Sequence, residues 1–168
     1  ENSGGVHCLK HGLTVHNLLE LRVLTIDGEL LVLGSETGEA PGLPLLALLT
    51  GSEGMLGVVV EATVRLKPLP ERVELLMVAF DDVRRCADAV GRIIASGIVP
   101  AGLEMMDAPA MRAAEAFARC GYPTEADALL LCELDGLHHD VERDLQAVET
   151  LLRDCGATAL RVATDATE

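Results

Sequence analysis

Aromatic side chains are nearly absent from this 168-residue sequence: there is no Trp, one Tyr and two Phe, 2% in all. Stacking on an aromatic platform is therefore not the way this chain would hold a base or a flat ring. Positive charge is also scarce. Thirteen Lys and Arg stand against 27 Asp and Glu, a net charge of -14 at pH 7. Such a surface repels phosphate backbones, and no Lys/Arg cluster offsets it locally. That argues against nucleic acid as a partner and disfavours anionic membrane surfaces. No signal peptide occurs, and no apolar run approaches the roughly 20 residues of a membrane helix, so direct membrane insertion is not expected. There is no CxxC pair, no Walker loop, no nucleophile elbow and no Ser/His/Asp order. The five cysteines (Cys8, Cys86, Cys120, Cys132 and Cys155) are odd in number and widely spaced. They read as reduced, buried thiols of a cytoplasmic protein rather than as disulfides.

What is present is a core. Apolar residues make up 49% of the chain, enough for one globular domain or two small ones built on Leu, Val, Ala and Ile. The chain opens on Glu1-Asn2-Ser3-Gly4-Gly5 with no Met. A Gly-rich loop is a poor way to begin a domain, so a cut or preceding part of a larger protein is expected.

Residues 21–26 and 29–33 are β-prone and flank Asp27-Gly28, a hairpin signal. Residues 34–44 read as a Gly/Pro loop and 45–49 as a short helical turn. Residues 58–66 read as a strand, with Val60, Ala62, Val64 and Leu66 on one face and Glu61, Thr63 and Arg65 on a wet one. Lys67-Pro68-Leu69-Pro70 blocks strand and helix alike and marks a domain boundary. Beyond it, strands are expected over 72–80, 101–106, 128–134 and 158–163. A helix capped by Asp81 or Asp82 runs to about Ser96, with Val83, Ala87, Val90 and Ile94 on its apolar face and Gly97 after it. A second, capped by Asp107 with Pro109 in its first turn, ends near Gly121. A third covers 139–155 and buries Val141, Leu145, Val148 and Leu152. The order β-α-β-(α)-β-α-β predicts an α+β, ferredoxin-like antiparallel sheet with helices on one face.

Two loops are candidate ligand sites. Gly51-Ser52-Glu53-Gly54-Met55-Leu56-Gly57-Val58-Val59 precedes a strand. Glycine permits positive φ and close backbone approach, and successive free N–H groups cup an anion or a carbonyl-rich ring. A dinucleotide fingerprint of the G-x-G-x-x-G kind needs a helix after it, and here a strand follows. Taken alone, the glycines also fit a plain structural turn. Asn2-Ser3-Gly4-Gly5 is a second polar, Gly-bearing loop. His7 and His11 have helical metal-ligand spacing, but Gly12 and Thr14 argue against a helix there and no H-E-x-x-H is formed. No metal site is assigned. His138 and His139 read as a solvated cap region, and Glu104 as a strand-end carboxylate. Cys8 beside His7 does not make a thiolate pair, because neighbours in extended chain point apart.

Residues 2–17, from Asn2-Ser3-Gly4-Gly5 to His16-Asn17, and residues 51–66 resemble the FAD-linked oxidases related to vanillyl-alcohol oxidase, glycolate oxidase and D-lactate dehydrogenase. Leu103-Glu104-Met105-Met106-Asp107 and Leu131-Cys132-Glu133-Leu134-Asp135-Gly136 resemble the start of that family's cap domain. The similarity covers nearly the whole chain, and only the combination is specific. The resemblance implies that residues 1–67 are the C-terminal part of the FAD-binding domain, 68–71 a linker, and 72–168 the first part of the cap. It implies FAD held by backbone at Asn2, Ser3 and Gly4 and at Glu53, Gly54, Met55, Leu56, Gly57, Val58 and Val59. The family usually has Thr at the place of Met55, so the contact at 55 is expected from the backbone. The implied activity is oxidation of a small 2-hydroxy acid of the glycolate or D-lactate type, by hydride transfer to the flavin. Implied partners are that substrate, further electron-transfer subunits or another acceptor, and a second copy of the chain. The family's pyrophosphate loop would lie upstream, its substrate Arg and His-rich segment downstream. The chain by itself is accordingly expected to bind FAD weakly or not at all. No catalytic base is assigned within it. Two other readings stay open: a non-catalytic ferredoxin-like sensing or dimerisation module, and a degenerate flavoprotein.

Overall fold

Two prolines within three residues deny both a helical and a ladder hydrogen bond, and at Pro68/Leu69 the chain divides into two units, Glu1–Pro68 and Leu69–Glu168. The computed structural model describes residues 2–35, 37 and 42–163. Glu1, much of the loop expected over 34–44, and residues 164–168 lie outside the described residues.

In the first unit, β1 (Leu18–Leu24) is the central strand of a sheet ordered β2-β1-β3. β2 is Leu30–Gly34 and β3 is Val58–Val64. Both pairings are antiparallel. Leu21 and Val23 point to one face and are the buried apolar side chains of this unit among the described residues. The hairpin forms, but not through a two-residue Asp-Gly turn. Thr25 N donates to Glu29 O (2.9 Å) and Gly28 N to Thr25 O (3.1 Å), so five residues make the connection. The short helix α2 (Leu45–Leu49) forms as expected and contacts β2.

β3 departs from the regular alternation read in its sequence. Its register against β1 jumps from Arg22↔Glu61 to Val23↔Val59, leaving Val60 as an extra residue. A bulge of this kind breaks period two. The strand ends at Val64 rather than Leu66, and Val58, Val59, Val60 and Val64 are all exposed. The expected buried face of β3 is thus not realised within this unit. Upstream, a correction also applies: Gly12 ends a helical turn instead of preventing one. Residues Cys8–His11 form α1, and Gly12 N donates to Cys8 O (2.8 Å).

The second unit is regular. β4 (Arg72–Phe80), β5 (Gly102–Asp107), β6 (Ala128–Gly136) and β7 (Ala159–Val162) form an antiparallel sheet in the order β5-β6-β4-β7. That is the strand order of a ferredoxin-like fold, and with its helices it makes the unit α+β. α3 (Val83–Ala95) starts where Asp82 accepts from Arg84 N at 2.8 Å. α4 (Ala108–Ala118) starts where Asp107 accepts from Ala110 N at 2.9 Å. Each cap satisfies an otherwise unpaired first-turn N–H. α5 (His138–Asp154) has no cap of its own at Leu137. Instead Glu71, at the foot of β4, accepts from His138 N (3.2 Å).

One continuous core fills the space between the sheet and α3 and α5. Leu76, Val78, Phe80, Leu130 and Cys132 meet Cys86, Ala89, Ile93, Val148 and Leu152. α5 buries Val141, Val148 and Leu152 as the pattern predicts, with Leu145 packed beside them. On α3 the predicted face is rotated: Cys86, Ala89 and Ile93 are buried, while Val83 and Ile94 are exposed. The buried stripe is the neighbouring one, Cys86, Ala89 and Ile93, with Val90 shared between the two and Ala87 left outside. The expectation that all helices share one face also fails. α4 contacts β5 and β6, and Met111 and Leu129 are fully buried without belonging to the α3/α5 core. Leu129 alternates with Leu130, so α4 covers the opposite side of the sheet.

Candidate functional site

The first loop is shaped by side chains that sequence reasoning had not singled out. Thr14–Asn17 forms a 3-10 turn. Asn2 Oδ1 accepts from Val15 N (2.9 Å), and the Thr14 hydroxyl donates to the Ser3 carbonyl. Asn17 Nδ2 donates to the carbonyls of His11 (3.0 Å) and Leu13 (3.1 Å), and Asn17 O accepts from Arg65 N (2.8 Å). His16 Nδ1 accepts from Leu13 N at 3.0 Å. A Cβ at Gly4 would lie 2.6 Å from Gly12 O and 2.7 Å from the Cys8 Cβ, so this position admits no side chain. The result is an open depression of about 290 Å³, lined by Ser3, Gly4, Thr14, Asn17, Leu18 and Val64 among others. The sequence signal available for Thr14 and Asn17 was their polarity in a Gly-bordered segment.

The second loop leads into the other end of β3. Ser52 N donates to Leu49 O (3.1 Å) and Met55 N to Ser52 O (2.9 Å). Two consecutive residues, Glu53 (φ 53°) and Gly54 (φ 79°), are left-handed. For Glu53 that conformation is uncommon and costs energy. A Cβ at Gly57 would meet Val23 Cγ1 at 2.7 Å, whereas one at Gly54 would meet nothing within 4 Å. The N–H groups of Glu53, Gly54, Leu56 and Gly57 have no hydrogen-bond partner among the described residues. Met55 is 86% exposed. Val58 and Val59 lie in β3, paired with Leu24 and Val23.

Asn2, Ser3 and Gly4 thus cluster at the Val64 end of β3, and Glu53 to Val59 at its Val58 end. Six residue steps at about 3.3 Å each separate the two, roughly 20 Å. They are two stations along one strand rather than a single pocket.

The remaining candidates are spread out. His7 and His11 meet edge to face, with ring centroids 6.5 Å apart. His11 Nδ1 lies 2.9 Å from Lys67 Nζ, which has only protons to give. Among the described residues no three His, Cys, Asp or Glu side chains gather as a metal site. Glu104 is exposed on β5, and His138 and His139 are exposed at the start of α5. All five cysteines are free. Cys86, Cys132 and Cys155 are buried, as expected, but Cys8 is half-buried and Cys120, beyond the end of α4, is exposed. Burial pushes the Cys86 thiol up to about 11. Burial, aided by the charge of Glu133, pushes Cys132 up to about 12. Neither is a nucleophile at neutral pH. No helix among the described residues is long and apolar enough to cross a membrane.

Comparison with known proteins places these features in a family. The glycolate oxidase subunit GlcD of Escherichia coli (strain K12) is 56% identical over all 168 residues, which are 34% of that protein. GlcD of Bacillus subtilis (strain 168) is 38% identical over 97% of the chain and 35% of its own length. The D-lactate dehydrogenase of Anaerostipes hadrus is 31% identical over 96% of the chain and 36% of its own length. The chain therefore spans about a third of the length of these relatives. Two crystal forms of alkyldihydroxyacetonephosphate synthase share the fold, with TM-scores of 0.79 and 0.81 over 99% of this chain at 20% identity, covering 33% and 32% of those chains. Residues 69–168, the β5-β6-β4-β7 unit, match the family described as FAD linked oxidases, C-terminal domain, and the chain belongs to the FAD-linked oxidase family.

Proposed function

We propose that this chain is part of a flavin-dependent enzyme that oxidises a small 2-hydroxy acid of the glycolate or D-lactate type. In this reading residues 1–67 form the end of the FAD-binding domain, 68–71 a linker and 72–168 the first part of the cap. The observation that carries it is the loop from Glu53 to Gly57. Four N–H groups there have no protein partner among the described residues, two successive residues are left-handed, and the turn is pinned to β1 at a glycine with no room for a Cβ. Unclaimed backbone donors in such a turn suit an anion or a ring rich in carbonyl groups, and a flavin is one. Asn2, Ser3 and Gly4 at the other end of β3 provide the second station. An extended FAD, with its ring and adenosine joined through a pyrophosphate, is long enough to touch both.

FAD, when bound, supplies the two-electron oxidation. The chain's residues bind and orient. Gly54 and Gly57 let the backbone approach, the Glu53 to Gly57 donors hold ring or phosphate oxygens, and Asn17 and Thr14 keep the first loop in shape. The relatives named as glycolate oxidase subunits support further subunits as partners, and the free cysteines support a cytoplasmic protein. A second copy of the chain is a further partner in this reading.

The test is anaerobic mixing of glycolate or D-lactate with the flavin-loaded protein that carries this chain. Bleaching of the flavin's visible absorption by one of these acids is expected. A protein that holds FAD yet is bleached by neither acid would sink the substrate assignment, and one that holds none would sink the whole reading.

A further inference from the structure

The sequence contains two Asp-Gly steps, Asp27-Gly28 and Asp135-Gly136, and the fold holds them differently. Asp followed by Gly is the pair at which a backbone rearranges most readily without help. Glycine has no Cβ to crowd its amide nitrogen, which must reach the carboxyl of the residue before it. Asp135 and Gly136 end β6, where they pair with Val73 and Arg72 of β4. Glu71 N also donates to Gly136 O at 3.0 Å. An extended strand turns each nitrogen away from the preceding side chain, and the ladder keeps it there. Asp27 and Gly28 lie instead in the connection between β1 and β2, and both are exposed. The Asp27 side chain has no partner among the described residues. Gly28 N is tied at one point, to Thr25 O (3.1 Å). A Cβ on Gly28 would meet nothing within 4 Å. An exposed turn with so few ties opens at little cost.

We infer that Asp27 is a modification site, where the backbone isomerises spontaneously to the β-linked form. Gly28 N attacks Asp27 Cγ. The N–Cγ bond forms, a Cγ–O bond breaks, and the amide proton leaves with the carboxyl hydroxyl as water. Water then opens the cyclic imide. Opening at the main-chain carbonyl carbon of Asp27 breaks its bond to Gly28 N, and the chain continues through Cγ. One water leaves and one returns, so the mass is unchanged and no oxidant or reductant takes part. The product carries an extra methylene in its backbone and a carboxylate on Cα. Thr25 N and Glu29 O (2.9 Å) close the connection in which this happens. Leu24, just before it, pairs with Val58 at the start of β3, so the rearranged turn borders the strand end that receives the Glu53 to Gly57 loop. The inference stands on the turn alone and is independent of the flavin reading.

The test holds the protein that carries this chain in neutral buffer at body temperature for several weeks, then digests it with trypsin. The two steps fall in separate peptides, residues 23–65 and 120–143, because no Lys or Arg lies inside either before its last residue. A methyltransferase specific for β-linked aspartate, given a labelled methyl donor, should mark 23–65 progressively and leave 120–143 blank. Asp27→Glu should lose the mark, because its carboxyl would close a larger ring that forms more slowly. Gly28→Ala should lose it too, because its Cβ crowds the attacking nitrogen while meeting nothing else within 4 Å. In urea both peptides should be marked, since unfolding frees Asp135 from the ladder. A blank 23–65, a mark that survives Asp27→Glu, or a folded protein in which 120–143 is marked as fast overturns the inference. A 120–143 that stays blank in urea overturns it as well, because the fold would then not be what selects Asp27. A marked turn upholds it whether or not the protein holds FAD.

Discussion

Adding one methyl group at either of two glycines in the Glu53 to Gly57 turn separates its structural from its ligand-binding role. At Gly57 (φ 154°) the new Cβ would sit 2.7 Å from Val23 Cγ1 and 3.1 Å from Leu24 O. Val23 is 1% exposed and cannot swing away. Overpacking of a filled site costs about 1–3 kcal/mol, and a left-handed backbone adds about 1 kcal/mol for a residue with a side chain. Gly57→Ala should therefore lose about 2–4 kcal/mol of first-unit stability, the sum of those two terms. At Gly54 the Cβ would meet nothing within 4 Å, so only the conformational term of about 1 kcal/mol applies. Urea unfolding followed by circular dichroism reads both numbers. Flavin retention in the flavin-loaded protein reads the second role. Gly54→Ala should stay folded yet hold FAD more weakly, because its methyl would project where a ligand must approach the free N–H groups. Equal stability losses at the two positions would refute the packing argument. A Gly54→Ala protein with undiminished FAD affinity would refute the placement of the flavin at this turn.

Two further outcomes follow from the second unit. Glu71→Ala removes the acceptor at the start of α5 and should lower stability by about 1 kcal/mol, the usual loss for a helix cap, seen as a drop in Tm of roughly 4–8 °C. An unchanged Tm would mean that water replaces the carboxylate without loss. The buried thiols set an alkaline limit. Cys86 and Cys132 are raised from 9.0 to about 11 and about 12, so the folded chain keeps protons that the unfolded chain releases. Their stabilising effect is complete below pH 9 and is lost as pH rises towards 11 and 12, at about 1.4 kcal/mol per pH unit for each group. Urea midpoints that stay level between pH 9 and 11 would contradict this.

The second unit was legible because each of its elements carries local punctuation. Asp82 and Asp107 start helices, Gly97 and Gly156 follow them, and apolar runs such as residues 128–134 are too short and too β-prone for anything but a strand. What escaped depends on partners distant in sequence. The face of α3 was misjudged because two apolar stripes, Val83/Ala87/Val90/Ile94 and Cys86/Ala89/Val90/Ile93, lie side by side, and only packing against the sheet selects the second. The side taken by α4 is set by the bare surface of Leu129, which no helical pattern encodes. Glu71 caps a helix 67 positions away. In the site, the glycine spacing pointed to the second loop, and its left-handed Glu53 could be found only in the backbone. The 20 Å between the two loops, an estimate from strand rise, was hidden because both read equally well as walls of one pocket.

The bulged edge of the first unit has a practical consequence. β3 is the outermost strand of its sheet, with one row of backbone groups facing outward and Val58, Val59, Val60 and Val64 uncovered. Glu61 is the one charged residue within it. Edges of this composition template the addition of other strands, and natural proteins usually guard them with charge, proline or a covering segment. The charge of -14 keeps molecules apart at low ionic strength, but salt at physiological level shortens that repulsion to about 8 Å. This valine-rich border is the place where a further strand would add, and a lysine placed at Val60, where the bulge already leaves the ladder, is the natural gatekeeper.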